Sequence, residues 1–322
     1  MKKHFIHKPS LMTLPVPNLE VAIVLINYNS TAYTIQAIRS IQEKTRAGLN
    51  YHIMVVDNNS KPEELQKLQA FKKEYPFPIF TLVESRINLG FSGGNMLGVQ
   101  NIVAKYYYFL NNDCLLLNDC IGILYDFCET NPRVALCSGM MYNEKMDVAI
   151  NYQYHPTPQV KWIGSGILRL FNKKKYSFKK EVYEIPTKVE VISGSSMFTR
   201  ACKFHDIGGF DTVHFLYCEE EDIAWNLRHY DCYVVPEAKY QHLENKSTII
   251  NYDIKKEFYI SFLYYYRKNF GRTATLLIQV MLFFRNIRKF YKSNYYFKLS
   301  LFILGGAPLR TSLRYKQKIR NN

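Results

Sequence analysis

An asparagine- and aspartate-rich segment offers the oxygen donors of a cation site. Asn111-Asn112-Asp113 follows the apolar run Tyr106–Leu110. Amide and carboxylate oxygens are the hard ligands that Mg²⁺ and Mn²⁺ prefer, and few protein ligands suffice when a bound anion supplies the others. A turn of asparagine and aspartate that caps the following helix would explain the same residues, and such turns are at least as common as cation sites. The position directly after a predicted strand favours the cation site.

Four consecutive acidic residues, Glu219–Asp222, form a second candidate for chemistry. Such a run is usually the solvated start of a helix, where the helix dipole favours negative charge. Here aromatic and apolar residues bracket the run, from Phe215 to Trp225, so we expect at least one carboxyl group to be partly buried. A buried carboxyl beside others has a raised pKa and suits a general base. His242 stands alone after a predicted strand at Cys232–Val235, and a lone histidine is more often structural than a ligand.

A glycine-rich segment, Gly90–Gly94, precedes a predicted helix near Met96–Val103. Glycines at a strand-to-helix junction let the backbone approach a phosphate. The segment lacks the lysine of a P-loop and the spacing of a dinucleotide-binding motif. Glycines that only satisfy a tight turn explain the pattern equally well.

The elements that position these residues alternate between strand and helix. Apolar runs predict strands at Val21–Ile26, His52–Val56, Phe80–Val83 and Tyr106–Leu110, and helical spacing follows Ser30 and Pro62. This β-α-β-α-β-α-β pattern predicts a doubly wound α/β sheet, in which ligands bind at the carboxyl ends of the strands. Polar clusters stand at three of those ends: Asn27-Tyr28-Asn29, Asp57-Asn58-Asn59 and Asn111-Asn112-Asp113.

The middle of the chain continues the pattern less regularly. A helix is predicted at Asp119–Cys128 and strands at Val134–Ser138 and Val189–Ser193. The polar stretch Tyr142–Pro186 between those strands is interpreted as an insertion over the site. A helix is expected from the acidic run through Arg228.

Composition excludes several classes of protein. The chain has 322 residues, 48% of them apolar and 21% charged, with no Gly-X-Y or heptad repeat, which excludes collagen, coiled coil and a disordered chain. Seven cysteines without a C-x-x-C pair imply neither a disulfide framework nor a zinc ribbon, and they favour a reducing compartment. Residues 1–20 are interpreted as a polar leader without the apolar run of a signal peptide.

The net charge of +15 is concentrated at the C-terminus. From Lys255 onward there are fifteen basic residues and one acid, a net of +14. Apolar runs at Thr273–Phe284 and Leu299–Leu309 are too short to span a bilayer, and cations alternate with aromatic residues between them. This composition favours a helical segment on an anionic membrane surface over a solvated helix packed on the domain, and both over a nucleic-acid partner. We expect residues 251–322 to be a membrane-associating tail, so a chain ending near residue 254 should lose lipid binding and keep its ligand affinity.

Taken in order, these segments resemble the family 2 glycosyltransferases, in particular the branch described as rhamnosyltransferases that build bacterial surface polysaccharides. The matching segments are VAIVLINYNS (21–30), VVDNNS (55–60), NLGFSGGNMLG (88–98), YFLNND (108–113), GSSMFTR (194–200), GGFDTVHFLYCEEEDIAWNLR (208–228) and VPEAKYQH (235–242). The resemblance implies a GT-A fold over residues 21–250, a Rossmann-like mixed sheet followed by the tail.

The resemblance also implies roles for individual residues. The nucleoside diphosphate would contact Asn27, Tyr28, Asp57, Gly94, Asn95, Asn111 and Asn112. Asp113 would be the metal-binding end of the family's D-x-D motif and His242 a further metal contact, with Mg²⁺ or Mn²⁺ as the ion. Glu220, with Glu219 beside it, would be the catalytic base. Asn111 stands where the motif begins with aspartate, and Glu220 where aspartate is commoner.

Two functions follow from these expectations. The first is an inverting transferase that moves a sugar from a UDP- or dTDP-sugar to a lipid-linked or polysaccharide acceptor, at the inner face of the cytoplasmic membrane. The second is a catalytically degenerate module that binds nucleotide or membrane without turnover. Asp57, Asp113 and the acidic run favour the enzyme.

Overall fold

The structure is a computed structural model that describes residues 19–74, 80–173, 175–176, 183–243 and 251–320. Almost all of the predicted leader, residues 1–18, lies outside the described residues.

The first half of the chain forms the predicted strand–helix alternation. Its elements are β1 (Val21–Asn27), α1 (Thr31–Lys44), β2 (Tyr51–Asp57), α2 (Pro62–Glu74), β3 (Phe80–Glu84), α3 (Gly90–Gln100) and β4 (Tyr106–Leu110). Strand β1 pairs in parallel with β2 and β4. Its run of β-branched residues is buried on both faces, because helices cover the two sides of the sheet. Strand β1 therefore lies inside the sheet and not at its edge.

The second half completes one large mixed sheet. Its elements are β5 (Cys114–Leu116), α4 (Cys120–Thr130), β6 (Val134–Tyr142), β7 (Val148–Ala149), β8 (Tyr152–Gln153), α5 (Pro158–Ile163), α6 (Ser165–Phe171), β9 (Thr187–Val189), β10 (Val191–Ile192), β11 (Ser196–Arg200), α7 (Ala201–Asp206), α8 (Glu219–Asn226) and β12 (Asp231–His242). The sheet order is β3-β2-β1-β4-β11-β6-β12-β5, with β11 antiparallel to both of its neighbours. The expected mixed α/β sheet is therefore confirmed.

Several elements differ from the sequence prediction. The predicted strand Val189–Ser193 is divided between β9, which joins the large sheet, and β10, which pairs with β8. Helix α3 begins at Gly90, so the glycine-rich segment forms its first turns and not a loop before it. Strand β11 was not predicted, because Ser196 and Thr199 interrupt its apolar pattern even though both are buried.

The interpreted insertion carries two short helices with an exposed apolar side. Helices α5 and α6 contain no fully buried residue. Their exposed large apolar side chains are Trp162, Ile163, Ile167, Leu170 and Phe171. The hydroxyl of Tyr266 in the C-terminal region donates to the carbonyl of Pro156 at 2.5 Å. This hydrogen bond holds the segment before α5 against the C-terminal region.

The C-terminal region is helical and packs against the domain. It comprises α9 (Tyr252–Ile287), interrupted at Gly271, then α10 (Asn294–Leu304) and three short 3₁₀ turns at Phe290–Lys292, Leu309–Thr311 and Leu313–Lys316. The first half of α9 buries Tyr265 and Tyr266 in an apolar cluster that includes Cys218. Removing residues beyond 254 would therefore uncover α8. None of the helices in the described ranges is long and apolar enough to cross a membrane.

Candidate functional site

A cleft of about 500 Å³ opens at the carboxyl ends of β1 and β4. Of the residues predicted to bind a ligand, five line it: Tyr28, Asn95, Asn111, Asn112 and Asp113. Its other lining residues are Ile26, Ser30, Asn58, Asn88, Gly90, Phe91, Leu110, Phe215, Leu216, Asn251, Ile254, Leu313 and Gln317. The switch in strand order between β1 and β4 creates this crevice, which is where open α/β sheets bind ligands.

Asp113 and His242 form a close pair of candidate metal ligands. His242 Nε2 lies 3.3 Å from Asp113 Oδ1, and antiparallel pairing of β12 with β5 sets this separation. The backbone N–H of Leu243 donates to the carbonyl of Asp113, and this hydrogen bond extends the pairing of β12 with β5. One carboxylate and one imidazole at this distance can share a divalent cation, with the remaining positions left for a ligand.

Cys114 lies near the same pair, and the ligand atoms of Asp113, Cys114 and His242 are all within 4.8 Å of one another. Its thiol donates to the carbonyl of Ser195 at 3.4 Å. Burial raises the pKa of the Cys114 thiol well above its ordinary value, and the charge of Asp113 acts in the same direction. In the absence of a cation the sulfur is therefore protonated, and a cation that bound it would have to displace this proton.

Asn27 and Asp57, predicted to bind the nucleotide, are buried behind the cleft. Asn27 Nδ2 donates to Asp57 Oδ1 at 2.9 Å, and the backbone N–H of Ser60 donates to Asp57 Oδ2 at 3.1 Å. Both side chains are 0% exposed. In this arrangement they join the ends of β1 and β2 and do not line the cleft.

Two further asparagines shape the cleft wall: Asn58, from the predicted polar cluster after β2, and Asn88, to which the sequence analysis assigned no role. Asn58 Nδ2 donates to Asn88 Oδ1 and to the carbonyl of Gly90, and Asn58 Oδ1 accepts from the N–H of Leu89. Both asparagines follow strands of the parallel sheet, β2 and β3. This position at the carboxyl edge had already singled out the cluster that contains Asn58, and the same signal could have identified Asn88.

Glycine is required at position 90. Its φ is +72°, and a Cβ added there would lie 2.1 Å from the carbonyl oxygen of Phe215. The N–H of Phe91 donates to that same oxygen at 2.8 Å. The start of α3 therefore packs directly on the segment before α8. Gly94 lies one turn later against Ile26, and Asn95, which lines the cleft, donates from Nδ2 to the carbonyl of Phe91.

The acidic run forms the first turn of α8, beside the cleft. Phe215 and Leu216 line the cleft, whereas the described lining residues include none from α8. A Cβ on Gly194 would lie 3.8 Å from Oε2 of Glu220, which places that carboxyl against the loop before β11. Glu221 Oε1 accepts from Gln153 Nε2 at 2.8 Å.

Burial raises the pKa values of the glutamates in this turn. The pKa of Glu219 rises to about 8, mainly through burial and further through the charge of Glu221. Burial also raises the pKa of Glu220, as do the charges of Glu221 and Glu219. Glu219 Oε2 finds no hydrogen-bond partner among the described residues. At neutral pH Glu219 therefore retains a proton that an exposed carboxyl group would lose.

A second acidic cluster has a structural partner. Asp211, His214 and Asp222 lie close enough to bind a cation. Lys268 from α9 already occupies that place, with Nζ 2.9 Å from Asp211 and 2.6 Å from Asp222. This cluster therefore fastens α9 to α8.

Comparison with known sequences identifies the family. Residues 22–205 match the family described as "Glycosyl transferase family 2". Polypeptide N-acetylgalactosaminyltransferase 11 of Xenopus tropicalis is 26% identical over 38% of this chain and 21% of its own length. Rhamnosyltransferase WbbL of Escherichia coli K12 is 26% identical over 43% of this chain and 54% of its own. The hexosyltransferase Agl10 of low-salt glycan biosynthesis in Haloferax volcanii is 23% identical over 76% and 75%. The matched part spans only about a fifth of the length of several of the curated relatives.

Solved structures share the fold. GalNAc-T7, crystallised with UDP, GalNAc and Mn²⁺, superposes with a TM-score of 0.56 at 12% identity, over 74% of this chain and 47% of its own. The mannosyltransferase PcManGT of Pyrobaculum calidifontis, in complex with GDP-Man and Mn²⁺, gives 0.53 at 14% identity, over 79% and 66%. These similarities confirm the expected GT-A fold.

Proposed function

This chain belongs to glycosyl transferase family 2, and on that premise we propose that it moves a sugar from a nucleoside diphosphate donor to an acceptor hydroxyl, with inversion at the anomeric carbon. The observation that carries the proposal is the cleft at the carboxyl ends of β1 and β4, with Asp113 and His242 at its edge. Its volume of about 500 Å³ falls in the usual range for small-molecule sites.

Asp113 and His242 would hold the divalent cation. The residues fit such an ion, because a carboxylate oxygen and an imidazole nitrogen face each other at 3.3 Å. A nitrogen donor suits Mn²⁺ better than Mg²⁺, which prefers oxygen throughout. When bound, the ion would neutralise charge on the departing diphosphate. UDP- and dTDP-sugars are the proposed donors.

Glu220 is the proposed general base. Its carboxylate would take the proton of the acceptor hydroxyl while that oxygen forms a bond to the anomeric carbon. The bond from that carbon to the diphosphate oxygen breaks in the same displacement, and its electrons leave with the nucleoside diphosphate. The ionised form of Glu220 would act as the base, and burial, which raises the pKa of this carboxyl group, makes that form a stronger proton acceptor.

The proposed acceptor is a lipid-linked or polysaccharide glycan, reached from the cytoplasmic face of a membrane. Two surfaces of the protein support the proposal that it binds to an anionic membrane. One is the exposed apolar side of α5 and α6, where Phe171 is 84% and Leu170 75% exposed. The other is the basic C-terminal region, whose exposed large apolar side chains include Leu276, Leu277, Phe284, Phe290, Tyr291, Phe297, Leu301 and Leu304. Apolar side chains among cations suit the headgroup layer.

A panel of nucleotide sugars tests the transferase directly. We expect a UDP- or dTDP-sugar with Mn²⁺ to raise the thermal midpoint, since ligand binding stabilises the folded state by mass action. We also expect slow donor hydrolysis or transfer that EDTA abolishes, with the product anomer opposite to that of the donor by NMR. Tight donor binding without turnover against a broad acceptor panel would favour the degenerate binding module.

A further inference from the structure

The last described residues of the chain run along the cleft. We call Leu313–Arg320 the C-terminal strap. It begins beside α9 and ends at the carboxyl ends of β2 and β3, and Leu313 and Gln317 line the cleft between those two points. The strap therefore forms part of the wall of the cleft although it is far from the cleft's other residues in sequence.

A buried carboxyl group anchors the start of the strap. Glu257 of α9 is 1% exposed. Its Oε2 accepts from the N–H of Leu313 at 2.7 Å, and its Oε1 accepts from the hydroxyl of Ser312 at 2.8 Å. Both oxygens of a buried group are thus satisfied by the residues from which the strap departs, which holds this end in one position.

Arg320 anchors the other end. Its N–H donates to the carbonyl of Arg86 at 2.7 Å, and its Nη2 donates to the carbonyl of Ser85 at 3.2 Å. The guanidinium also lies 3.5 Å from Asp57 Oδ2 and 3.5 Å from Glu84 Oε2. Arg320 therefore binds the carboxyl ends of β2 and β3 together, through charge and backbone contacts.

The docked strap changes what Asp57 can do. Arg320, Asn27 and Ser60 surround the carboxylate of Asp57, which is 0% exposed. The nucleobase of a ligand in the cleft therefore cannot contact it while the strap is docked. The cleft nevertheless keeps about 500 Å³ with the strap in place. The site is open to a ligand while the strap is docked.

We propose that the C-terminal strap is a wall of the donor site, and that Asp57 is a positioning residue which acts on the nucleotide by holding Arg320. This inference rests on the proposed function, in that the cleft receives a nucleoside diphosphate. Docking of the strap costs conformational entropy of its backbone. Contacts from a bound nucleotide to Gln317 and Leu313 would offset this cost, so a bound nucleotide favours the docked state. Strap docking and nucleotide binding then strengthen each other by linkage.

Titration calorimetry with UDP and with dTDP, each in the presence of Mn²⁺, tests the proposal on the full chain. We expect Arg320→Ala and Asp57→Asn each to raise Kd roughly tenfold, and the double variant to raise it no further, because the two residues act through one contact. Arg310→Ala, which removes an exposed arginine before the strap, is the matched control and should leave Kd unchanged.

The alternative gives a different pattern. If Asp57 contacts the base directly, Asp57→Asn weakens binding while Arg320→Ala does not, and that result overturns the proposal. If the wild-type chain binds neither nucleotide, the proposed donor site is refuted, and the proposed role of the strap in that site is refuted as well. If the wild type binds and all variants bind equally, only the role of the strap is refuted.

Limited proteolysis reports docking independently of affinity. Trypsin can cleave the strap after Arg314, Lys316 and Lys318, and intact mass distinguishes the products. We expect UDP with Mn²⁺ to slow these cleavages in the wild type and to protect Arg320→Ala less, while cleavage after the exposed Lys292 stays constant. Faster cleavage in the presence of nucleotide would mean that the strap must leave, and would contradict the proposal.

Discussion

Replacing Glu219 with glutamine should stabilise the protein relative to the wild type, by an amount that increases as the pH rises. The Glu219 side chain is 8% exposed, and burial raises its pKa from 4.5 to about 8. Between these two values the unfolded chain has lost this proton and the folded chain retains it. The free energy of unfolding therefore decreases with pH, by up to about 1.4 kcal/mol for each pH unit.

Summed over that interval, ionisation of Glu219 removes about 5 kcal/mol, which is an upper bound because the neighbouring glutamates share the same turn. Glutamine keeps the shape of the neutral acid and has no proton to lose. Glu219→Gln should match the wild type to within about 1 kcal/mol at pH 5 and exceed it by several kcal/mol at pH 8.5.

Urea unfolding, followed by tryptophan fluorescence at half-unit pH steps, measures this difference. Subtracting the wild type from the variant cancels the contributions of the titrating groups outside this turn. Glu43→Gln, at an exposed position of α1, is the matched control and should run parallel to the wild type. Parallel curves for Glu219→Gln and the wild type would refute the argument from burial.

The remaining predictions concern the site and the membrane surface. Asp113→Ala should abolish transfer and most metal-dependent binding of UDP or dTDP, measured by calorimetry with and without Mn²⁺; unchanged metal-dependent affinity would remove Asp113 from the metal site. Glu220→Gln should keep donor affinity and lower turnover roughly 10²–10⁴-fold, and a near-normal rate would reject it as the base. Gly90→Ala should lower both stability and donor affinity, because its Cβ would meet a backbone oxygen at 2.1 Å; a stable, tight-binding variant would contradict this close packing. The double variant Leu170→Ser/Phe171→Ser should sediment less with anionic vesicles while it keeps nucleotide affinity, and unchanged sedimentation would exclude α6 from the membrane surface.

The order of side chains along the chain was sufficient to predict the strands and helices of the N-terminal half of the fold. The buried run Val21–Ile26 and its successors have the periodicity of strands and helices, which is a local property of a sequence. Parallel connectivity then placed three polar clusters at one edge of the sheet. Tyr28 and the Asn111–Asp113 segment do line the cleft, as that reasoning predicted.

Tertiary structure decided which of the remaining polar residues face the cleft. His242 meets Asp113 because β12 crosses the sheet to pair with β5, a register that long-range packing determines. The resemblance implied a nucleotide contact for Asp57, yet this carboxylate is buried and Arg320, 263 residues later in the chain, lies 3.5 Å from it. The local sequence pattern predicts neither the contact of His242 with Asp113 nor that of Arg320 with Asp57, because each depends on how separate elements pack in three dimensions.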